Sequence, residues 1–273
     1  MSDPTTTTAA SPPVSASAPA AETSGPPYDP ATLDLDAINA KLGDASPDAV
    51  VRWVAEHFPD RAILSTSFGA QSAVMIDLIT RHLPRIPVVF IDTGFHFPET
   101  YRFADELTAR FNLNLKVYTP AISAAWMIQR HGKLWEQQTR EALQEYDNLH
   151  KVEPMQRALD DLKPAVWFAG LRAQQTEHRS GLRRLERQAG VLKAHPILHW
   201  SRRDVGTYMV ERELPYHPLV EQGYASIGDW HSTAKIGETD SERAGRFQGL
   251  KEECGIHIPQ TPEEDQSRMS ADL

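Results

Sequence analysis

The chain has 273 residues, and its 37 acidic against 28 basic residues give a formal net charge of −9. This balance makes a nucleic-acid backbone a poor partner, so an anionic ligand must be met by a local cluster of basic side chains. No apolar run reaches the roughly 18 residues that a membrane-spanning helix needs. The single cysteine excludes an intramolecular disulfide and a metal site built from cysteines alone. Because the first residues lack a basic start and an apolar core, we expect no secretory signal, and a reducing cytoplasmic compartment fits best.

Composition divides the chain into three regions. Residues 1–30 consist mainly of Thr, Ser, Ala and Pro, and this shortage of apolar surface predicts a disordered extension. Residues 31–222 carry regular apolar patterns and are predicted to form one folded domain. Residues 223–273 are polar and rich in glycine without a clear period, which predicts a mobile tail.

Short apolar strands alternate with amphipathic helices through the predicted domain. Strands are expected at 62–65, 86–91, 115–118, 165–169 and 192–197. Helices are expected near 33–42, 46–58, 72–83, 98–111 and 200–211, with three more between 121 and 163. Alternating strands and helices form parallel βαβ units, and continuously apolar strands are covered on both faces. The pattern therefore predicts an α/β fold, with a twisted, mainly parallel sheet and helices on both faces.

Two loops follow neighbouring predicted strands. The first, residues 65–72, combines small residues, hydroxyl groups and a helix N-terminus, all of which suit a phosphate. It lacks the Gly-Lys-Ser/Thr ending of the common phosphate loop, and an ordinary turn with hydroxyl caps is the alternative. The second loop is Asp92-Thr93-Gly94. Because open α/β sheets bind ligands outside the carboxyl ends of their strands, the two loops together predict a binding crevice.

Several basic residues fall in predicted loops or at the ends of predicted elements. They are Lys133, Lys151, Arg172, Arg179, Arg243 and Arg246. In an acidic chain, arginines after a strand end are candidates for binding several phosphates or sulfates, although any one of them could be a solvated surface residue. The histidines lack the paired spacing of a metal site, and none is predicted.

Cys254 lies among charged residues beside Gly255, in a segment with little apolar content. A structural cysteine is usually buried among apolar side chains, which this segment does not offer. Neighbouring cations favour a thiolate, whereas Glu252 and Glu253 oppose it. From its surroundings alone, Cys254 is either a reactive thiol or an incidental one.

Between about Leu33 and His257, several motifs occur in a fixed order: Ser65-Thr66-Ser67-Phe68-Gly69, residues 92–101 (DTGFHFPETY), 132–136 (GKLWE), 151–155 (KVEPM), 167–172 (WFAGLR), 216–219 (YHPL), 227–229 (IGD) and 253–257 (ECGIH). In these motifs the chain resembles the thioredoxin-dependent phosphoadenylyl-sulfate reductase family. The resemblance implies an adenine-nucleotide α-hydrolase-like fold. It also implies a homodimer, with thioredoxin or glutaredoxin as the partner that supplies electrons.

The resemblance also implies roles for individual residues. The Cys254 thiolate would attack the sulfur of the activated sulfate and carry the thiosulfonate that the partner releases as sulfite. The residues expected to bind the sulfonucleotide are Ser65, Ser67 and Gly69 around a phosphate or sulfate, Asp92, Thr93 and Gly94 along the crevice, Lys151, Arg172 and Arg179 at the anionic groups, and Arg243 and Arg246 over the sulfate.

Four positions decide between subfamilies. The related adenylyl-sulfate reductases hold a four-iron cluster on four cysteines, and the corresponding residues here are Tyr146, Asp147, Asp229 and Ser232. We therefore expect no bound cofactor, no iron–sulfur cluster and use of the 3′-phosphorylated donor. A cluster-free adenylyl-sulfate reductase is the alternative. An ATP pyrophosphatase on the same fold, or a nucleotide sensor without catalysis, would differ by pyrophosphate release or by binding without sulfite formation.

Overall fold

Six strands form one sheet in the computed structural model, which describes residues 29–237, 243–251 and 253–258. The strands are β1 (Ala62–Thr66), β2 (Pro87–Ile91), β3 (Asn114–Tyr118), β4 (Val166–Phe168), β5 (Leu185–Gln188) and β6 (Val191–Ala194). Their order is β3-β2-β1-β4-β6-β5, and every neighbouring pair is parallel except β5–β6. The predicted mainly parallel sheet is confirmed, and β5 is an addition, because residues 185–188 gave no strand signal in the sequence.

Eight of the nine described α-helices follow the predicted positions closely, and the short helix at 177–180 was not predicted. The described helices are α1 (Leu35–Leu42), α2 (Pro47–His57), α3 (Ser72–Thr80), α4 (Pro98–Phe111), α5 (Ala124–His131), α6 (Arg140–Asp147), α7 (Glu153–Leu162), α8 (Glu177–Ser180) and α9 (Arg202–Glu211). Local chemistry sets their starts: the Ser46 side chain caps α2 with proline in its first turn, and Ser201 with Asp204 forms a capping box on α9. A π-helical turn, Asn148–Val152, joins α6 to α7. None of the described helices is long and apolar enough to cross a membrane.

Alternate strand residues point to opposite faces, and both faces are covered. Leu64 and Val166 belong to the larger core, which includes buried residues of α2, α3, α4 and α9. Their neighbours Ile63 and Trp167 belong to a second core that includes Met155, Ala158 and Leu159 of α7. The prediction of helices on both faces is therefore confirmed, and the loops after β1, β2 and β4 all emerge at the carboxyl edge of the sheet.

Described residues of the C-terminal region pack against this domain. Phe247 and Glu253 are 2% and 3% exposed, and Gly255 is buried in the short turn Gly255–His257. Isolated bridges pair His96 with Asp229 and Thr233 with Arg246. The mobility predicted for residues 223–273 stays a prediction, and the disorder predicted for residues 1–30 lies almost entirely outside the described residues.

Candidate functional site

A cavity opens at the carboxyl edge of the sheet, between the loops after β1, β2 and β4 and the C-terminal region. All but two of the predicted site residues line it: Ser65, Ser67, Gly69, Thr93, Lys151, Arg172, Arg179, Arg243, Arg246 and Cys254. Residues almost two hundred positions apart in the sequence therefore share one wall, which agrees with the position expected for a ligand in an open α/β sheet.

Asp92 and Gly94 lie outside the cavity lining and shape the loop behind it. The Asp92 carboxylate accepts hydrogen bonds from the Gly94 N–H (2.9 Å) and the Tyr101 hydroxyl (2.7 Å). Gly94 has φ +75°, a conformation that side chains with a β-carbon rarely adopt. Together these contacts turn the chain so that Thr93 faces the cavity.

The loop after β1 is held open by contacts at its base. The indole N–H of Trp167 donates to Ser65 Oγ (2.7 Å), so the hydroxyl hydrogen of Ser65 can be directed towards the cavity. Phe68 has φ +47° and is fully buried, which anchors the loop against Phe90. A β-carbon at Gly69 would lie 3.2 Å from the Ile227 carbonyl oxygen, so the glycine permits close approach of the C-terminal region.

Lys151 is buried between two carboxylates. Its ammonium forms ion pairs with Asp147 (3.1 Å) and Asp229 (2.8 Å), and Asp229 also accepts a hydrogen bond from Thr93 Oγ1 (2.5 Å). Burial alone would lower the pKa of Lys151, but the two carboxylates outweigh burial and raise it above its usual value. The side chain is thus held as a cation on the cavity wall.

Arg243 and Arg246 bring further positive charge to the same wall. Burial and the nearby Arg179 lower the pKa of Arg243 to about 10, and burial also lowers the pKa of Arg246. Both guanidinium groups remain charged at neutral pH. Two buried guanidinium groups on one cavity wall supply positive charge and hydrogen-bond donors, which suit an anionic ligand.

Glu253 fixes the residue next to the cysteine. Its carboxylate accepts hydrogen bonds from Arg179 and from Thr176 Oγ1 (2.9 Å) and lies 3.7 Å from Arg243. The pKa of Glu253 is lowered, because the arginine contacts outweigh the effect of burial. The expectation that Glu253 opposes a thiolate is therefore weakened: its charge is already paired.

Cys254 is half-buried on the cavity wall. Four cations lie close enough to interact electrostatically with it: Lys151, Lys193, Arg243 and Arg246. A sulfur in this setting can act as a nucleophile towards an anionic substrate, because the same cations neutralise charge on both reactants.

His257 also lines the cavity and contacts Lys193, and neither was predicted as a site residue. Lys193 Nζ donates to His257 Nδ1 (3.0 Å) and Gln188 Oε1 (2.5 Å) and lies 4.3 Å from the Trp167 ring centroid. Burial lowers the pKa of Lys193 to about 8, and burial together with Lys193 lowers the pKa of His257 further below its usual value. A neutral imidazole that accepts at Nδ1 carries its proton on Nε2. The sequence feature that could have indicated Lys193 is the presence of a lysine in an otherwise apolar strand.

Four residues stand where adenylyl-sulfate reductases have their iron–sulfur cysteines, and they lie close together beside the cavity. They are Tyr146, Asp147, Asp229 and Ser232. Lys151 joins Asp147 to Asp229, and burial followed by the Asp229 charge raises the pKa of Tyr146 well above its usual value. Ser232 donates its backbone N–H to the Asp229 carbonyl oxygen (3.1 Å). Within the described residues, no cluster of three or more His, Cys, Asp or Glu side chains is arranged to hold a metal ion.

The fold and the site describe an α/β protein with a cation-lined cavity beside Cys254. Residues 61–235 match the family model of the phosphoadenosine phosphosulfate reductase domain. The chain belongs to the phosphoadenosine phosphosulfate reductase family.

Named relatives cover most of the chain. It is 47% identical over 242 residues to phosphoadenosine 5′-phosphosulfate reductase of Synechocystis sp., covering 88% of this chain and 97% of that one. It is 53% identical over 224 residues to the Xanthomonas oryzae protein of the same name, covering 82% and 92%. A phosphate complex of phosphoadenylyl-sulfate reductase from Candida auris superposes with a TM-score of 0.63 at 35% identity, covering 73% of this chain and 96% of that one.

Proposed function

We propose that this protein reduces 3′-phosphoadenylyl sulfate to sulfite and adenosine 3′,5′-bisphosphate, with electrons from thioredoxin. The observation that carries the proposal is the position of Cys254 on the wall of a cavity lined by Lys151, Arg179, Arg243 and Arg246. Membership of the reductase family supports the choice of substrate.

The first half-reaction is nucleophilic substitution at sulfur. The Cys254 thiolate forms a bond to the sulfur of the sulfate group while the bond from that sulfur to the bridging phosphate oxygen breaks. Adenosine 3′,5′-bisphosphate leaves with the bonding electron pair, and Cys254 becomes S-sulfocysteine.

The second half-reaction needs an outside dithiol. A thioredoxin thiolate attacks Cys254 Sγ, and sulfite leaves with the electron pair. The second thioredoxin thiol then resolves the mixed disulfide and returns Cys254 to its reduced form. Since the chain has one cysteine, it has no internal thiol for this step. Glutaredoxin is an equivalent donor in chemical terms.

The cavity residues divide the anionic groups of the substrate between them. Ser65, Ser67 and Gly69 would hold a phosphate or sulfate with hydroxyl and backbone N–H groups, and Thr93 would line the nucleotide crevice. The remaining anionic groups would meet the cations, namely Lys151, Arg172, Arg179, Arg243 and Arg246. These charges lower the barrier that a thiolate meets when it approaches an anionic ester.

Cofactor, assembly and location complete the proposal. With Tyr146, Asp147, Asp229 and Ser232 in place of cysteines, we propose catalysis without an iron–sulfur cluster. The enzyme would act in the cytoplasm as a homodimer. The tail would move to present the sulfonated Cys254 to thioredoxin.

The proposal is tested by measuring sulfite formation from the phosphorylated and the unphosphorylated donor side by side, with reduced thioredoxin. We expect sulfite from 3′-phosphoadenylyl sulfate at a much higher kcat/KM. Preference for adenylyl sulfate would replace the proposal with a cluster-free adenylyl-sulfate reductase. Tight binding of adenosine 3′,5′-bisphosphate without sulfite from either donor would show a nucleotide sensor.

A further inference from the structure

Asp147 is a fully buried carboxylate at the end of α6 that the mechanism above does not use. It accepts a hydrogen bond from the Gly255 backbone N–H (3.0 Å) and one from the ammonium of Lys251, and it forms an ion pair with Lys151 (3.1 Å). Two of these three contacts reach across 104 and 108 residues of sequence to the C-terminal region. Gly255 directly follows Cys254, so one carboxylate acts on both sides of the cysteine.

The groups around the buried Asp147 side chain suit a carboxylate that carries a negative charge. A buried carboxylate is costly unless cations and hydrogen-bond donors compensate it, and here two lysines and one N–H do so. Burial would raise the pKa of Asp147, but the charges of Lys151 and Lys251 outweigh it and the pKa is lowered. Asp147 is therefore an anion, and its N–H contact is a charge-assisted hydrogen bond.

Neighbouring atoms leave no room for a side chain at Gly255. A β-carbon there would lie 2.7 Å from Val152 Cγ2 and 3.5 Å from Asp147 Cβ. The backbone after Cys254 is therefore seated directly on the π-helical turn that carries Lys151. Because Lys151 is also paired with Asp229, which binds the Thr93 hydroxyl, the seat is continuous with the cavity wall.

We propose that Asp147 is a positioning residue of the reductase reaction, whose carboxylate holds the Gly255 N–H and thereby places Cys254 Sγ against the bound sulfonucleotide. This proposal rests on the proposed function. Asp147 is fully buried and does not line the cavity. It acts through Gly255 and Lys151, so its loss should slow sulfur transfer more than it weakens nucleotide binding.

The test uses full-length Asp147→Asn and Asp147→Ala variants, with Asp105→Asn on the exposed side of α4 as the matched control. Asn keeps one acceptor oxygen but turns an amide towards either a lysine or the Gly255 N–H. Single-turnover formation of S-sulfocysteine at saturating donor should slow on the order of 10-fold in Asp147→Asn and more in Asp147→Ala, as expected for a misplaced nucleophile. The affinity for adenosine 3′,5′-bisphosphate should change by only a few-fold, and Asp105→Asn should match the wild type.

A second measurement does not depend on the substrate. In the nucleotide-free protein, Cys254 should be alkylated by iodoacetamide several-fold faster in Asp147→Asn than in the wild type, because the segment is less firmly seated. Unchanged alkylation together with an unchanged sulfur-transfer rate in a folded Asn variant would overturn the proposal. The proposal would also be overturned if Asp147→Asn lost affinity for adenosine 3′,5′-bisphosphate while its rate of S-sulfocysteine formation stayed unchanged. If the wild type forms no adduct at all, the proposed function fails, while the alkylation rates still decide whether Asp147 seats Cys254.

Discussion

Arg179 and Glu253 form a two-pronged ion pair in which Nε–Oε1 and Nη2–Oε2 are both 2.6 Å apart. The two side chains are 5% and 3% exposed. The pair joins the segment after β4 to the residue that precedes Cys254. Since a buried ion pair is costly to break from one side, the position of the cysteine depends on it.

Glu253→Gln should loosen the segment that carries Cys254. Loss of the charge leaves Arg179 buried beside a weaker acceptor, so local opening becomes easier by about 1–2 kcal/mol, or roughly tenfold. Hydrogen–deuterium exchange of the amides in residues 253–258 should quicken by that factor. Glu177→Gln, an exposed residue on the helix of Arg179, is the matched control. Unchanged exchange in Glu253→Gln would show that the ion pair does not hold the segment.

Gly228→Ala should displace Arg246 from the cavity. A β-carbon at position 228 would overlap the Arg246 guanidinium, whereas one at Gly206 in α9 would meet no atom within 4 Å. We expect kcat/KM for sulfite formation to fall at least about tenfold in Gly228→Ala, because a cation that stabilises the reacting charge moves away. Gly206→Ala should leave kcat/KM unchanged. Equal kinetics for both variants would mean that the position of Arg246 does not matter.

Ser65→Ala should cost stability as well as affinity. The alanine leaves the buried Trp167 indole N–H without the acceptor that Ser65 Oγ provides, a loss of about 1–3 kcal/mol in the free energy of unfolding. Ser67 is exposed, so Ser67→Ala should weaken nucleotide binding with little change in stability. Urea denaturation and calorimetric titration with adenosine 3′,5′-bisphosphate separate the two effects. A Ser65→Ala variant as stable as Ser67→Ala would contradict the assigned contact.

Lys193 should make stability depend on pH in the alkaline range. Burial lowers its pKa from the ordinary 10.5 to about 8. Between these values the unfolded chain holds a proton that the folded chain has released, so the free energy of unfolding rises with pH. Relative to Lys193→Met, the wild type should gain up to about 3 kcal/mol across this window in urea denaturation. A flat or falling difference would contradict the lowered pKa.

Strand and helix positions were predictable because continuous apolar runs and capping residues mark them locally. β5 was not, because residues 185–188 form an edge strand with a mostly polar sequence. Two arginines at this strand are held by backbone carbonyl groups: Arg184 donates to the carbonyl oxygens of Ala45 and Pro196, and Arg187 donates to that of Pro30. Whether a guanidinium meets a carbonyl group or a ligand is decided by tertiary contacts.

Most cations of the site were predictable, but their partners were not. Of the six basic candidates, five line one cavity, namely Lys151, Arg172, Arg179, Arg243 and Arg246, whereas Lys133 pairs with Glu136 at the surface. The carboxylates that orient them come from distant segments, as Glu253 does for Arg179 across 74 residues. Asp92 was expected to line the crevice, and its side chain turns to Gly94 and Tyr101 instead.

The central claim is that Cys254 takes the sulfonate group directly from the nucleotide. It is tested by mixing reduced enzyme with an excess of 3′-phosphoadenylyl sulfate in the absence of thioredoxin and analysing the protein by mass spectrometry. The account predicts one sulfonate group per chain, located on Cys254, with one equivalent of adenosine 3′,5′-bisphosphate released and sulfite only after reduced thioredoxin is added. Cys254→Ser should form no adduct while binding the nucleotide within a few-fold of the wild type. Sulfite released before thioredoxin is added, or full turnover by Cys254→Ser, would contradict the account.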